Sequence, residues 1–276
     1  MSTLRIGSKS YDLTNRGLVA GILNVTPDSF SDGGRYQGID AAVAHAKALV
    51  AQGADIIDVG GESTRPGAKP VSIEEETYRV VPVIEAIREA GVSVPISVDT
   101  RKSEVAALAV GAGAQIVNDV SALSFDPKMK GVVKASGAAV ILMHNRGTPE
   151  KMYERADYTD VVEDVRKELA ASLETALAAG IAEDRIVLDP GIGFAKKAEH
   201  SWKVLDGLAR IVSLGRPVLV GTSRKSFLKE VFGEEPEALE RGTQATCVAA
   251  MVRGARLFRV HEPAPLRDLA LCRRAA

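Results

Sequence analysis

Eight short runs of nearly continuous aliphatic residues, each followed by a longer amphipathic stretch, alternate from one end of the chain to the other. The runs are Leu18–Val25, Ala54–Val59, Val94–Val98, Ala114–Val120, Ala138–Met143, Arg185–Leu188, Pro217–Val220 and Arg256–Val260. Apolar side chains that do not alternate with polar ones suit parallel strands covered on both faces. The patterns between them read as helices over Ile39–Gln52, Ile73–Ala90, Ser103–Gly111, Pro127–Ala135, Asp160–Ala179, Ala198–Leu214, an interrupted Lys225–Arg253, and Pro265–Arg274. In the fifth of these, Val161, Val165, Leu169, Leu173 and Leu177 predict one apolar stripe. Gly53, Gly91, Gly113, Gly137, Gly180, Gly215 and Gly254 follow successive helices, where a left-handed residue turns the chain back toward the next strand. Strand–helix alternation of this length without a linker predicts an α/β fold, a (β/α)8 TIM barrel, as a single domain over residues 1–276. Leu4–Leu13, with Gly7, Ser8 and Lys9 between short apolar pieces, predicts an N-terminal hairpin-like extension that closes the barrel bottom.

Composition narrows the function classes. Lys plus Arg is 35 and Asp plus Glu is 36, so a net charge of -1 gives no bulk attraction to phosphate backbones or anionic lipid. Aromatic residues at 4% leave few stacking platforms for single strands. No nucleic acid and no membrane is expected as a partner, and any anion must be held by local groups. Hydrophobic residues at 46% are enough for a sizeable core. The N-terminal segment has no signal-like apolar region, so a cytoplasmic location is expected. Cys247 and Cys272 lack His or Cys at ligand spacing and are expected as buried thiols.

A TIM barrel builds its active site at the carboxyl ends of its strands. Reading the end of each run gives Asn24, Asp58, Asp99, Asn118 with Asp119, His144, Asp189, Thr222 with Ser223, and His261. Any one of these can be a simple helix cap or turn residue; together they line one mouth. The loops Thr26–Gly34 and Gly60–Gly67 are long and glycine-bearing, suited to act as lids, with ordinary turn chemistry as the plainer reading. Arg65, Arg224, Lys225, Arg259 and His261 bring cations to the same rim, and guanidinium groups bind phosphate oxygens bidentately. The amide oxygen of Asn24 is a hard donor suited to Mg²⁺, and a diphosphate site follows. Surface ion pairing is the alternative for Arg65 and Arg259. Asp99, Asn118, Asp189 and Lys225 offer the donors and acceptors that a flat, amino- and carbonyl-bearing heterocycle such as a pterin needs. Mutual neutralisation of buried charges would place the same residues there.

The segments Asn24–Gly34, Asp58–Ala68, Asp189–Lys196, Gly221–Leu228 and Arg259–His261 together resemble dihydropteroate synthase, from about Val19 to Val260. That resemblance implies joining of 6-hydroxymethyl-7,8-dihydropterin diphosphate to 4-aminobenzoate, giving 7,8-dihydropteroate and diphosphate. It implies a pterin held by Asp99, Asn118, Asp189 and Lys225, and a diphosphate held by Thr64, Arg65, Arg259 and His261 with Mg²⁺ at Asn24. Pro27, Phe30, Thr64, Phe194 and Ser226 would shape the 4-aminobenzoate pocket, which sulfonamide inhibitors would also enter. Asp99, Lys225 and Arg65 would be catalytic, Asp99 by stabilising a pterin carbocation, and the assembly would be a homodimer. Two positions depart from the family pattern: Ala195 replaces a glycine, and Asn145 follows His144 where methionine or glutamine is usual. A pterin-binding methyltransferase domain and a non-catalytic pterin-binding paralogue are the rival readings. The intact Ser63–Gly67 and Arg259–His261 segments, which neither rival needs, argue against both.

Overall fold

The computed structural model describes residues 3–26, 34–64, 67–147 and 151–272. Strands β1 (Thr3–Ile6) and β2 (Lys9–Asp12) pair antiparallel, with Ile6 opposite Lys9, so the turn is Gly7-Ser8 and Lys9 belongs to the strand. An eight-stranded parallel sheet follows: β3 (Leu18–Asn24), β4 (Ile56–Gly60), β5 (Ile96–Asp99), β6 (Ile116–Asp119), β7 (Ala139–Met143), β8 (Ile186–Asp189), β9 (Leu219–Val220) and β10 (Leu257–Val260). Its order is β8-β7-β6-β5-β4-β3-β10-β9, and a parallel bridge between Leu188 and Val218 brings the two edges together. The expected (β/α)8 TIM barrel and its hairpin extension are both present. The eighth-to-ninth junction is the thinnest because Pro217 has no N–H to give; its carbonyl still accepts from Leu188 N at 2.9 Å.

Helices α1 (Gly34–Ala51), α2 (Ile73–Glu89), α3 (Ser103–Gly111), α4 (Met129–Ser136) and α5 (Val161–Ala178) cover the first strands. They are followed by α6 (Ala198–Asp206), α7 (Leu208–Val212), α8 (Lys229–Phe232), α9 (Pro236–Val252) and α10 (Ala264–Cys272). Ser72 caps α2 by accepting from Glu75 N at 3.1 Å, and Asp160 caps α5 by accepting from Val162 N and Glu163 N. The seven glycines after the helices all have positive φ, as their places in the sequence require. The helix expected over Ala198–Leu214 breaks at Gly207, where an added Cβ would lie 2.7 Å from Val162 of α5. Close approach of two helices, not helix propensity, sets that residue. On α5 the fourfold stripe drifts: Val161, Val165 and Leu169 are buried, but Leu177 is exposed and Ala176 takes its place. A spacing of four exceeds the helical repeat of 3.6, so the stripe rotates off the core within a few turns.

Two cores result. Between barrel and helices lie Leu23, Val59, Val98, Val117, Val140 and Leu188 with the helix faces. Inside the barrel, Ala20, Ile56, Ile116, Ile141, Val187, Leu219 and Leu257 pack on Leu4, Ile6 and Leu13 of the hairpin, which plugs the bottom. The plug leaves the carboxyl ends of the strands as the open end.

A buried ion network anchors the chain leaving β4. Lys102 Nζ donates to Glu62 at 2.5 Å, to Val71 O at 2.8 Å and to Glu76, while Arg101 donates to Glu62 at 3.1 Å. Both ends of the segment around Gly67 are thus tied to one ammonium. Lys102→Met removes that charge and leaves the buried Glu76 carboxylate without its cation while Glu62 keeps Arg101, so it should lower unfolding free energy by about 3–5 kcal/mol. Denaturant titration of the variant against the parent checks this.

Candidate active site at the open end of the barrel

Strand side chains alternate between faces, so the residue two positions beyond each interior apolar residue also points inward. Ile56 is followed by Asp58, Ser97 by Asp99, Ile116 by Asn118, Val187 by Asp189 and Leu257 by Arg259. These form the next layer toward the open end, above the aliphatic ones. A cleft above them is lined by Thr64, Asp99, Asn118, Phe194, Lys225 and Arg259, with Asp189, Ser223 and His261 completing its wall.

Arg259 organises the charge of this layer. Its Nε donates to Asp58 Oδ2 at 2.6 Å and its Nη2 to Asp99 Oδ2 at 2.9 Å. Burial raises the Asp99 carboxyl to about 7; Arg259 opposes that rise, and Asp58 adds to it. Arg259 itself is held above its ordinary value, since Asp58 and Asp99 outweigh its burial. Across the cleft, burial raises Asp189 and the Lys225 ammonium opposes it, while Gly191 N donates to Asp189 Oδ1 at 2.7 Å. Burial lowers Lys225 to about 8, countered by Asp189. Lys225 Nζ donates to Ile192 O and lies 4.5 Å from the Phe194 ring centre. Ser223 Oγ and His261 Nδ1 are 2.8 Å apart, which orients the imidazole on the rim.

The sequence-derived residues separate by place. Asp99, Asn118, Asp189, Lys225, Thr64, Phe194, Arg259 and His261 converge on the cleft. Asn24 is exposed at the end of β3; its Oδ1 and Asp99 Oδ2 lie 3.8 and 3.9 Å from the point where Gly60 would carry a Cβ. Ser226 is exposed, opens the short turn Ser226–Leu228, and stands outside the residues lining the cleft. Arg65, Pro27 and Phe30 lie outside the described residues. Asp119 serves its own turn, accepting from Ser121 N at 2.8 Å and Leu123 N at 2.9 Å. Thr222 bonds Thr246 at 2.9 Å and is buried against α9. Arg224 is exposed and pairs with Glu262. Cys247 is a buried free thiol whose pKa burial pushes up to about 12.

Asp58 was read only as a strand end, yet it is the closest partner of Arg259. The signal was available, because Asp58 shares the inward parity of Asp99, Asn118 and Asp189. His144 belongs elsewhere: buried at the end of β7, it bonds Lys196 and Glu168. Ala195 occupies left-handed backbone at φ 47°, where a Cβ is disfavoured, and it is fully buried. Tyr158 holds that residue by donating to its carbonyl at 2.9 Å.

The chain matches the family described as Pterin binding enzyme over residues 20–261. It is 45% identical to a dihydropteroate synthase of Synechocystis over 94% of this chain and 90% of that one. A structure of Xanthomonas albilineans dihydropteroate synthase with 4-aminobenzoic acid superposes with a TM-score of 0.91 at 43% identity, over 99% of this chain and 97% of that one. The Yersinia pestis enzyme in a sulfonamide complex gives 0.90 at 40% identity, over 99% and 100% of the two chains. The Xanthomonas albilineans enzyme in complex with 7,8-dihydropteroate gives 0.87 at 41%, over 99% and 98%. From the barrel, the inward polar layer and relatives aligned along nearly its whole length, the chain belongs to the dihydropteroate synthase family of pterin-binding enzymes.

Proposed function

We propose that this chain, acting as one domain over residues 1–276, condenses 6-hydroxymethyl-7,8-dihydropterin diphosphate with 4-aminobenzoate, giving 7,8-dihydropteroate and diphosphate. The observation that carries this reading is the single layer of Asp99, Asn118, Asp189, Lys225 and Arg259 at the open end of the barrel. Asp189 accepts from the amino and ring N–H groups of the pterin, Asn118 gives and accepts along its edge, and Lys225 donates to its carbonyl. Thr64, Arg65, Arg259 and His261 hold the diphosphate. The C–O bond to diphosphate breaks with its electron pair leaving on oxygen, and the Asp99 carboxylate stabilises the cation left on the pterin methylene. The amine nitrogen of 4-aminobenzoate then donates its lone pair to that carbon and loses a proton to solvent. No covalent enzyme intermediate is required.

The amide oxygen of Asn24, exposed at the end of β3, is a hard donor that fits Mg²⁺. Among the described residues no cluster of three acidic, His or Cys side chains forms a complete metal cage. Such a donor set suits an ion that shares its coordination with phosphate oxygens. When bound, the ion neutralises charge on the leaving diphosphate. Phe194 and Thr64 of the cleft wall form the 4-aminobenzoate pocket we propose, where a sulfonamide competes; the roles of Pro27, Phe30 and Ser226 rest on the family resemblance alone. A second copy of the chain is the partner we assign, with the exposed Val248 and Val252, one turn apart on α9, as its contact. Among the described residues no helix is long and apolar enough to cross a membrane. The free Cys247 thiol suits the reducing cytoplasm, the location we propose.

Mass spectrometry of a mixture with both substrates and Mg²⁺ tests the reaction: 7,8-dihydropteroate should form, and its absence contradicts the reading. Arg65→Ala and Arg259→Lys should each lower kcat/KM for the pterin diphosphate by about 1.5–3 kcal/mol, because each weakens a charge-assisted contact to the leaving group. Steady-state kinetics reads this directly. Binding should also be ordered. Arg65 is next in sequence to Thr64 of the cleft wall, so the 4-aminobenzoate pocket is expected to be complete only with diphosphate and Mg²⁺ in place. Calorimetry should show tight 4-aminobenzoate binding only when both are present with the pterin; equal affinity without them contradicts the ordering.

A further inference from the structure

The turn that carries Phe194 is held from behind by a buried lysine that the proposed reaction does not use. Lys196 is 2% exposed, and its Nζ donates to Gly191 O at 3.0 Å, Phe194 O at 3.0 Å and His144 Nδ1 at 2.9 Å. Burial lowers the Lys196 pKa well below its ordinary value, with Asp189 opposing that fall; the three N–H groups of its ammonium form match these three acceptors. With Lys196 as the ammonium, Nδ1 accepts, so His144 carries its proton on Nε2 and donates to Glu168, 3.0 Å away. Burial and the Lys196 charge keep His144 neutral, with its pKa lowered to about 4. Burial alone would raise Glu168, but the hydrogen bonds from His144 and Arg146 hold it down to about 2. Arg146 also lies 4.0 Å above the Tyr158 ring, and Tyr158 donates to Ala195 O on the same turn. The turn closes on itself through Phe194 N to Gly191 O at 3.0 Å. Gly191 sits so close to the end of β7 that a Cβ there would stand 2.0 Å from His144 O, so only glycine fits at this point of the turn.

The other side of this turn is the cleft wall. Ile192 O accepts from Lys225, a Cβ at Gly193 would lie 3.0 Å from Lys225 Cδ, and the Phe194 ring faces the same ammonium. We infer that Lys196 is a positioning residue for the amine substrate: by gripping Gly191 O, Phe194 O and His144 Nδ1 at once, it fixes the turn that aims the Phe194 ring into the cleft. This inference rests on the function proposed above, and it assigns Lys196 no contact with substrate. His144 is the adaptor, joining the lysine to Glu168 on α5.

Lys196→Met keeps the stem and removes the three donors. At saturating pterin diphosphate it should raise KM for 4-aminobenzoate at least about tenfold while KM for the pterin diphosphate changes by less than about threefold, as a misaimed wall of one pocket requires. His144→Asn and His144→Leu form a second pair that both lose the Glu168 contact. Asn retains an acceptor where Nδ1 stands, so it should keep KM for the amine within about threefold of the parent, whereas Leu should raise it as Lys196→Met does. Amide hydrogen exchange over residues 190–196, read without substrate, should quicken in Lys196→Met and His144→Leu but not in His144→Asn. An unchanged amine KM in folded Lys196→Met, or equal behaviour of the Asn and Leu variants in both measurements, overturns the positioning role. A parent protein that gives no turnover contradicts the reaction instead, and the exchange pattern still decides whether Lys196 sets the turn.

Discussion

The pairing of one guanidinium with two carboxylates inside the barrel governs the rest of the site. Arg259 reaches Asp58 on β4 and Asp99 on β5, two strands that neighbour each other, from β10. Without that cation, two acidic side chains of the same layer would sit close together with little solvent to screen them. With it, the rise that burial imposes on Asp99 is held to about 7, and Arg259 stays charged beside the cleft. Under the function proposed above, an incoming diphosphate enters a layer whose internal pairing it must partly replace, and pterin and diphosphate recognition are linked through the same arginine.

Around this layer the structure uses buried cations as braces for the loops. Lys102 ties Glu62, Val71 and Glu76 together beneath the segment that bears Thr64. Lys196 does the same under the turn that bears Phe194. Lys102 is directed at two carboxylates and a backbone carbonyl, and Lys196 at two backbone carbonyls and an imidazole nitrogen, so each buried head group has polar partners. Lys196 grips Phe194 itself and Lys102 holds Glu62, two residues before Thr64, so each loop base is tied near a residue that lines the cleft.

Much of this was legible in the sequence. The aliphatic runs and the glycines after helices mark the eight strands, because parallel strands buried on both faces are predominantly aliphatic. Asp99, Asn118 and Asp189 stood out because each ends such a run. Asp58 had the same parity as these and lacked only an identified partner, which lies 201 residues away in the chain. Lys196 and His144 were less accessible, since nothing local distinguishes a lysine that points into the protein from one on the surface. The break at Gly207 and the drift of the α5 stripe reflect packing between helices, which a single helix pattern does not contain.

The coupling of Asp99 to Arg259 is the central claim, and its ionisation reports on it most directly. Carbon-13 NMR of aspartate carboxyls in the free protein, with Asp99 assigned through Asp99→Asn, should show that one carboxyl titrates near pH 7. Adding diphosphate should move that titration, as Arg259 is drawn from the carboxylate toward the anion. An Asp99 carboxyl that titrates in the ordinary aspartate range near about 4 and ignores diphosphate would contradict the account.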